Sequence, residues 1–356
     1  MSNSTEVKNN IIKVGWECPS NIALVKYWGK YGRQLPCNSS ISFTLSHAAT
    51  RTFMTLGDEH SQHSPKVNFT FEGNENAAFQ GRIEKFLASI SEYFPFVLTH
   101  QLTIDSSNSF PHSSGIASSA SGMGALALCL CDIDDQLNKR AVYNDDFYHR
   151  SSIIARLGSG SASRSVFGVM ATWGKHQSII GSSDEYAVPM AASVHPKFHT
   201  FHDDILIISP KEKSVSSSAG HHLMEGNPYA AARYKQAGER MRQLLSALHT
   251  GDLDTFGKIT EDEALTLHAL MMCSDPSYIL MEPNSLLVIK KIKQFRAESG
   301  LPVYFTLDAG PNVHVLYPDQ YEVEINHFII SELKPLCHEG KIIRDKVNIQ
   351  GPSKLI

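Results

Sequence analysis

The sequence predicts an α+β protein built as two domains. Three observations carry this expectation. At 356 residues the chain is longer than one hydrophobic core usually serves. Both halves mix stretches of two-residue alternation with stretches of helical spacing. Neither repeats a strand–helix unit, which argues against a doubly wound parallel sheet. Between residues 176 and 200 the periodicity weakens and Pro189 and Pro196 appear. The expected division is a polar tail over 1–10, an N-terminal domain over 11–190 and a C-terminal domain over 191–356.

The tail, MSNSTEVKNN, has no apolar signal core. No uncharged apolar run reaches membrane-spanning length, so a cytoplasmic protein without a membrane partner is expected. Short strands are expected over 12–16 and 22–28, on either side of Cys18-Pro-Ser-Asn21. Ile41, Phe43 and Leu45 alternate with Ser42 and Thr44, and Val67, Phe69 and Phe71 repeat the pattern of a half-buried strand. Ile83, Phe86, Leu87, Ile90 and Phe94 fall at helical spacing. A strand over 102–104 feeds a small-residue loop over 108–124 that runs into an uncharged helix over 125–131. A helix over 146–156 leads to a second Gly/Ser loop, and 166–173 is strand-like. Beyond residue 200, strands are expected over 205–208, 303–307, 314–317 and 346–349, and helices over 229–248, 253–268, 286–299 and 325–336.

The composition narrows the function. Hydrophobic residues make up 42% and charged residues 19%, the balance of a soluble globular enzyme. A net charge of −4 argues against a nucleic-acid partner and directs attention to where single Lys and Arg residues stand. The six cysteines show no metal or disulfide spacing. Cys129 and Cys131 lie in an apolar helix, where thiols act as small hydrophobes. The 17 histidines form no paired metal-ligand motif.

Four stretches have compositions that folding alone does not demand. The loop over 108–124 offers free backbone N–H groups at a helix N-terminus, which favours an anion. Ser118 and Ser119 add hydroxyls, and Gly115, Gly122 and Gly124 admit backbone close to a polyphosphate. No Gly-Lys-Ser/Thr follows, so it is not a Walker A loop. In the second stretch, residues 19–30, a strand would put Lys26, Trp28 and Lys30 on one face; an edge strand guarded by lysine explains the same residues equally well. In the third, residues 156–165, Gly and Ser alternate up to Arg164, whose planar fork matches a carboxylate or phosphate. In the fourth, Asp308 ends a strand before the turn Ala-Gly-Pro-Asn312. It fits a carboxylate held rigidly as a general base and, taken alone, fits an Asx-turn residue better.

Together these stretches resemble the motif set of the GHMP small-molecule kinase superfamily, and within it the mevalonate diphosphate decarboxylase family. Asn-Ile-Ala-x-x-Lys-Tyr-Trp-Gly-Lys stands at 21–30 and Asn-Ser-Ser-x-Ser-x-Thr-Leu at 38–45. The phosphate loop stands at 111–120 with Ile116 in place of Leu, Gly-Ser-Gly-Ser-Ala-x-Arg-Ser at 158–165, and Asp-Ala-Gly-Pro-Asn at 308–312. The similarity runs in family order from residue 11 to about 317.

The resemblance implies an N-terminal ribosomal-protein-S5-like domain, a C-terminal ferredoxin-like α/β domain, and an active site in the cleft between them. It implies ATP and Mg2+, phosphorylation of a tertiary 3-hydroxyl, loss of phosphate and CO2, and isopentenyl diphosphate as product. Asp308, Arg164, Lys26 and Asn21 would form the catalytic set: Asp308 as base, Arg164 with Asn21 on the substrate carboxylate, Lys26 near the transferring phosphate. Ser106, Asn108, Pro111, Gly115, Ala117, Ser118 and Ser119 would hold the nucleotide, Ser118 reaching Mg2+ through ATP. Tyr27, Lys30, Ser161, Arg164 and Ser217 would bind the substrate. A homodimer is expected.

Three departures stand out. The segment after Lys30, Tyr31-Gly-Arg-Gln-Leu-Pro36, is short and differently charged, and Ser163 replaces the family's Cys. The segment Val215-Ser-Ser-Ser-Ala-Gly-His221 lacks the Arg of bacterial members. The substrate alternatives are accordingly mevalonate 5-diphosphate, the 5-monophosphate and the 3,5-bisphosphate, and a kinase without decarboxylation is the other activity.

Overall fold

The computed structural model describes residues 11–110, 118–140, 143–211 and 215–356. Its first element differs from expectation. Residues 12–28 do not form two strands around Cys18-Pro-Ser-Asn21 but one 14-residue strand, β1 (Ile12–Val25). Bulges between Pro19 and Asn21 and between Ala23 and Val25 carry the strand through the proline, which cannot donate to a ladder. Nearly all of β1 is buried, so the alternation that would have revealed its continuity is absent. The strand ends at Val25, so Lys26, Trp28 and Lys30 share no strand face. The chain turns into a small hairpin of β2 (Lys30–Tyr31) and β3 (Leu35–Pro36).

The 20-residue β4 (Ser40–Glu59) then runs antiparallel to β1. β5 (Lys66–Phe71) and β6 (Asn74–Glu75) precede α1 (Ala77–Ser89), which the Asn76 side chain caps at Phe79 N–H. The helix stops at Ser89, so Ile90 and Phe94 enter the core from beyond it. β7 (His100–Asn108) lies parallel to β5.

Next, α2 (Ser118–Leu137) begins seven residues earlier than the apolar run suggested. Gly122 and Gly124 are therefore helical, not part of a loop. A Cβ at Gly124 would lie 2.4 Å from Cys18 Sγ, so this glycine brings α2 onto β1 instead of admitting a phosphate. Then come α3 (Asp145–Gly158), α4 (Ala162–Ser165), β8 (Met170–Trp173) and β9 (Ala187–Pro189). The strand expected over 166–173 is shortened by the helical turn of α4 and by Val169, whose φ is +59°.

The rest of the chain holds β10 (Phe201–Leu206), α5 (Ser217–His222), α6 (Ala230–Thr250), α7 (Leu253–Met272), α8 (Pro283–Ser299), β11 (Tyr304–Thr306), β12 (Val313–Pro318), α9 (Glu322–Phe328), β13 (Ile342–Ile343) and β14 (Ser353–Lys354). The strand expected over 346–349 does not form; Val347 and Lys346 make only single bridges to Leu45 and His202.

The strands build two main sheets. The larger follows the order β14-β1-β4-β7-β5-β6, with β8 on β4 and β9 on β8; the smaller follows β11-β12-β10-β13. A first core lies between the larger sheet and α2 and α3, where Trp16, Leu102, Leu128 and Phe147 pack together. A second is shared by both sheets with α6 and α7: Phe43, Phe201, Met241 and Phe256 meet there. A third, with Ile292, Phe305 and Ile325, backs the smaller sheet with α8 and α9. The mixed, two-sheet α+β architecture agrees with the sequence expectation. No helix of the described residues is long and apolar enough to cross a membrane.

Candidate active site

Where β1 ends, the chain carries Lys26 into the interior with 1% of its surface exposed. A buried ammonium needs partners. Lys26 Nζ donates to Ala23 O at 2.6 Å and to Asp308 Oδ1 at 2.9 Å. Its backbone is held as firmly. Lys26 N–H donates to Glu263 Oε2 at 2.8 Å, and Lys26 O accepts from Arg233 Nη2 and Asn38 Nδ2, both at 3.0 Å. Glu263, on α7, takes both forks of Arg233 at 2.6 Å and Arg240 at 2.9 Å. Burial raises its carboxyl, but the two guanidiniums outweigh that and hold it below its ordinary value. Asp308 follows β11, and its carbonyl oxygen lies 3.1 Å from His268 Nε2 of α7.

Arg164 sits on α4 with 1% exposure. Its Nε donates to Ser42 Oγ at 2.8 Å and its Nη2 to Asn21 Oδ1 at 3.2 Å. Asn21 donates in turn to Ser161 O at 3.1 Å and Ser165 Oγ at 2.8 Å, which fixes its amide. Arg164 Nη1 is buried without a partner among the described residues. Burial pushes the guanidinium down to about 10, against the pull of Asp308 and Tyr27. A cation with one open donor suits a carboxylate.

A cavity of about 210 Å3 joins these groups; Lys26, Asp308 and Arg164 line it together with Tyr27, Lys30 and Ser161. Ser217 lines it too, from α5. Tyr27 Oη is buried without a partner among the described residues, and its ring meets Trp173 edge-on at 4.8 Å. Burial lowers the Lys30 ammonium from its ordinary value, and its Nζ donates to Gln34 Oε1 at 3.2 Å. The short hairpin that carries both has its own anchors. Arg156 donates to Arg33 O at 2.6 Å and to Glu185 O at 2.7 Å.

A second cavity, of about 820 Å3, adjoins the first; Ser119, Gly158 and Ser218 line both. Ser106, Asn108 and Ser118 also line it, together with the apolar Phe71, Phe79 and Phe86. Pro111, Gly115 and Ala117 lie outside the described residues. A 20-residue helix starting at Ser118 presents its positive end here. A cavity lined by apolar side chains and by a helix N-terminus fits a nucleotide, with apolar surface for the base and N–H groups for the phosphates.

The structure thus brings Lys26, Tyr27, Lys30, Ser161, Arg164, Ser217 and Asp308 around one cavity, with Asn21 bound to Arg164 but not lining it, and places Ser106, Asn108, Ser118 and Ser119 at the next. Sequence reasoning missed Glu263, Arg233, His268 and His221. For Glu263 a signal existed: it stands at helical spacing with Ile259, Thr260 and Leu267, so a carboxylate was due to point inward. His221 and His268 carry no local signal.

The chain matches the family models described as "Diphosphomevalonate decarboxylase-like N-terminal domain", over residues 18–187, and "Mevalonate 5-diphosphate decarboxylase C-terminal domain", over residues 204–352. It is 32% identical over 333 residues to diphosphomevalonate decarboxylase of Ganoderma lucidum, covering 88% of this chain and 80% of that one. Among solved structures it resembles mevalonate diphosphate decarboxylase from Staphylococcus aureus, with a TM-score of 0.83, 29% identity and coverage of 97% and 98%. It also resembles MDDEF in complex with MVAPP, AMPPCP and magnesium, with a TM-score of 0.80, 29% identity and coverage of 97% and 99%.

Proposed function

The chain belongs to the diphosphomevalonate decarboxylase family, and from that premise we propose that its two adjoining cavities decarboxylate mevalonate 5-diphosphate with consumption of ATP. The products are isopentenyl diphosphate, ADP, phosphate and CO2. The observation that carries the proposal is the meeting of Asp308, Lys26 and the half-satisfied Arg164 in one cavity that opens beside a helix N-terminus.

Ser118 and Ser119 would hold the nucleotide phosphates, with Ser118 reaching Mg2+, and Ser106 and Asn108 would line the nucleotide cavity. Bound Mg·ATP supplies the phosphoryl group and neutralises the charge of its transfer. Asp308, kept in place by the Lys26 ammonium, orients the substrate 3-hydroxyl and accepts its proton. Arg164 Nη1 receives the substrate carboxylate, while Asn21 and Ser42 hold the guanidinium. As the 3-phosphate leaves with its bonding pair, positive character at C3 draws the pair of the C–CO2 bond into the new double bond. Tyr27, Lys30, Ser161 and Ser217 face the phosphate end. A division of the chain between residues 190 and 191 is supported by β9, which ends at Pro189 in the larger sheet, and by β10, which opens the smaller.

The test is simultaneous measurement of ADP and CO2 with Mg·ATP and mevalonate 5-diphosphate, with the 5-monophosphate in parallel. Equal ADP and CO2 from the diphosphate is the expected result. Activity on the monophosphate alone moves the substrate assignment, and ADP without CO2 makes the protein a kinase.

A further inference from the structure

The segment before α6 lacks an arginine, and the structure puts His221 in the cavity instead. Its ring lies between Tyr27 at 4.2 Å and Trp28 at 4.5 Å, and only 8% of the residue is exposed. Gly29 N–H donates to His221 Nδ1 at 3.0 Å. Nδ1 is therefore unprotonated, and the proton of the neutral ring sits on Nε2. Nε2 has no hydrogen-bond partner among the described residues.

Two glycines build this placement. Gly29 has φ +90°, and a Cβ there would lie 2.2 Å from Tyr234 Oη. A Cβ at Gly220 would lie 2.6 Å from both the Trp28 ring and Tyr278 Oη, so only glycine lets α5 approach so closely. Burial, then Lys30 and His222, push the imidazole down to about 3, which keeps the ring a neutral donor. Beside it, Tyr27 Oη also lacks a partner among the described residues, and Lys30 is the neighbouring cation.

We propose that His221 is a specificity-determining residue whose Nε2–H donates a hydrogen bond to the phosphate end of the substrate. The inference rests on the decarboxylase function proposed above and extends it. Phosphate oxygens only accept, so they require donors. Here one ammonium, one phenol and one tautomer-locked imidazole supply them.

Two variants and one direct observation test this. His221→Phe keeps an aromatic ring between Tyr27 and Trp28 but removes the donor; His221→Gln restores an N–H of similar reach. The expected result is a KM for mevalonate 5-diphosphate raised ~10- to 100-fold in the Phe variant. The KM for ATP and the ratio of CO2 to ADP should stay as in the wild type, and Gln should recover most of the loss. An unchanged KM in the Phe variant, or equal losses in both variants, overturns the proposal. Should the variants not fold, 15N spectra of the wild-type imidazole decide. A proton on Nε2 whose resonance moves on titration with inorganic pyrophosphate supports the role, and an Nδ1–H tautomer or an unmoved resonance refutes it. That titration needs no turnover, so it separates failure of this inference from failure of the decarboxylase assignment.

Discussion

At the scale of single residues, the site is a set of charges each held by neutral or opposite partners. Arg164 illustrates the arrangement: Nε and Nη2 are satisfied by Ser42 and Asn21, and Nη1 is left open among the described residues. Arg164→Gln should therefore lower kcat/KM for the mevalonate substrate by ~10- to 100-fold or more, the loss of a charge-assisted bond. Binding of Mg·ATP, measured by calorimetry, should change little; an unaltered kcat/KM would remove the carboxylate contact. His221 gives a second test. Its imidazole titrates near 6.5 when unfolded and is pushed down to about 3 when folded. The folded state then binds fewer protons between those values, so stability is full above pH 6.5 and falls as pH drops toward 3. The slope is ~1.4 kcal/mol per pH unit. Urea midpoints from pH 7 to 5 should fall less steeply for His221→Phe than for the wild type.

At the scale of elements, α7 does the most to position the chemistry. It sends Glu263 to the Lys26 N–H and His268 to the Asp308 carbonyl, so one helix touches the backbone of both members of the central ion pair. Arg233 of α6 closes the arrangement by holding Lys26 O. Glu263→Ala leaves the buried Arg233 guanidinium and the half-buried one of Arg240 without their carboxylate, a loss of ~3–5 kcal/mol. The expected readout is a large fall in the thermal midpoint together with lost turnover. α7 also packs closely on β11: a Cβ at Gly257 would come within 2.0 Å of the Tyr304 ring. Gly257→Ala should cost ~1–3 kcal/mol by overpacking, measured by denaturant unfolding.

At the scale of the whole molecule, the two sheets are tied by a shared core and by Asp345. That carboxylate accepts N–H bonds from Ser46 and His47 at 2.8 Å and from Ala48 and Lys346 at 2.7 Å. It thereby pins β4 of the larger sheet to the segment after β13 of the smaller. Burial raises its carboxyl despite those bonds. Asp345→Ala strands the buried Ala48 N–H and three partly buried donors and should lower stability by ~1–3 kcal/mol. The residues that line the two cavities are untouched by that change, so the nucleotide affinity of the protein that remains folded should be retained.

The sequence by itself determined the α+β class and the position of most helices, because hydrophobic periodicity is local. It also singled out Lys26, Tyr27, Lys30 and Asp308, which line the first cavity, because Asn-Ile-Ala-x-x-Lys-Tyr-Trp-Gly-Lys and Asp-Ala-Gly-Pro-Asn are contiguous motifs. Only the tertiary structure decided that β1 is one strand, since burial on both faces erases alternation and a bulge absorbs Pro19. It alone assigned Gly124 to helix packing against Cys18. It alone brought His221, 192 positions from Gly29, and Glu263, 237 positions from Lys26, into contact with the site. Such partners are selected by the free energy of burying a polar group, which depends on what surrounds it in space and leaves no pattern along the chain.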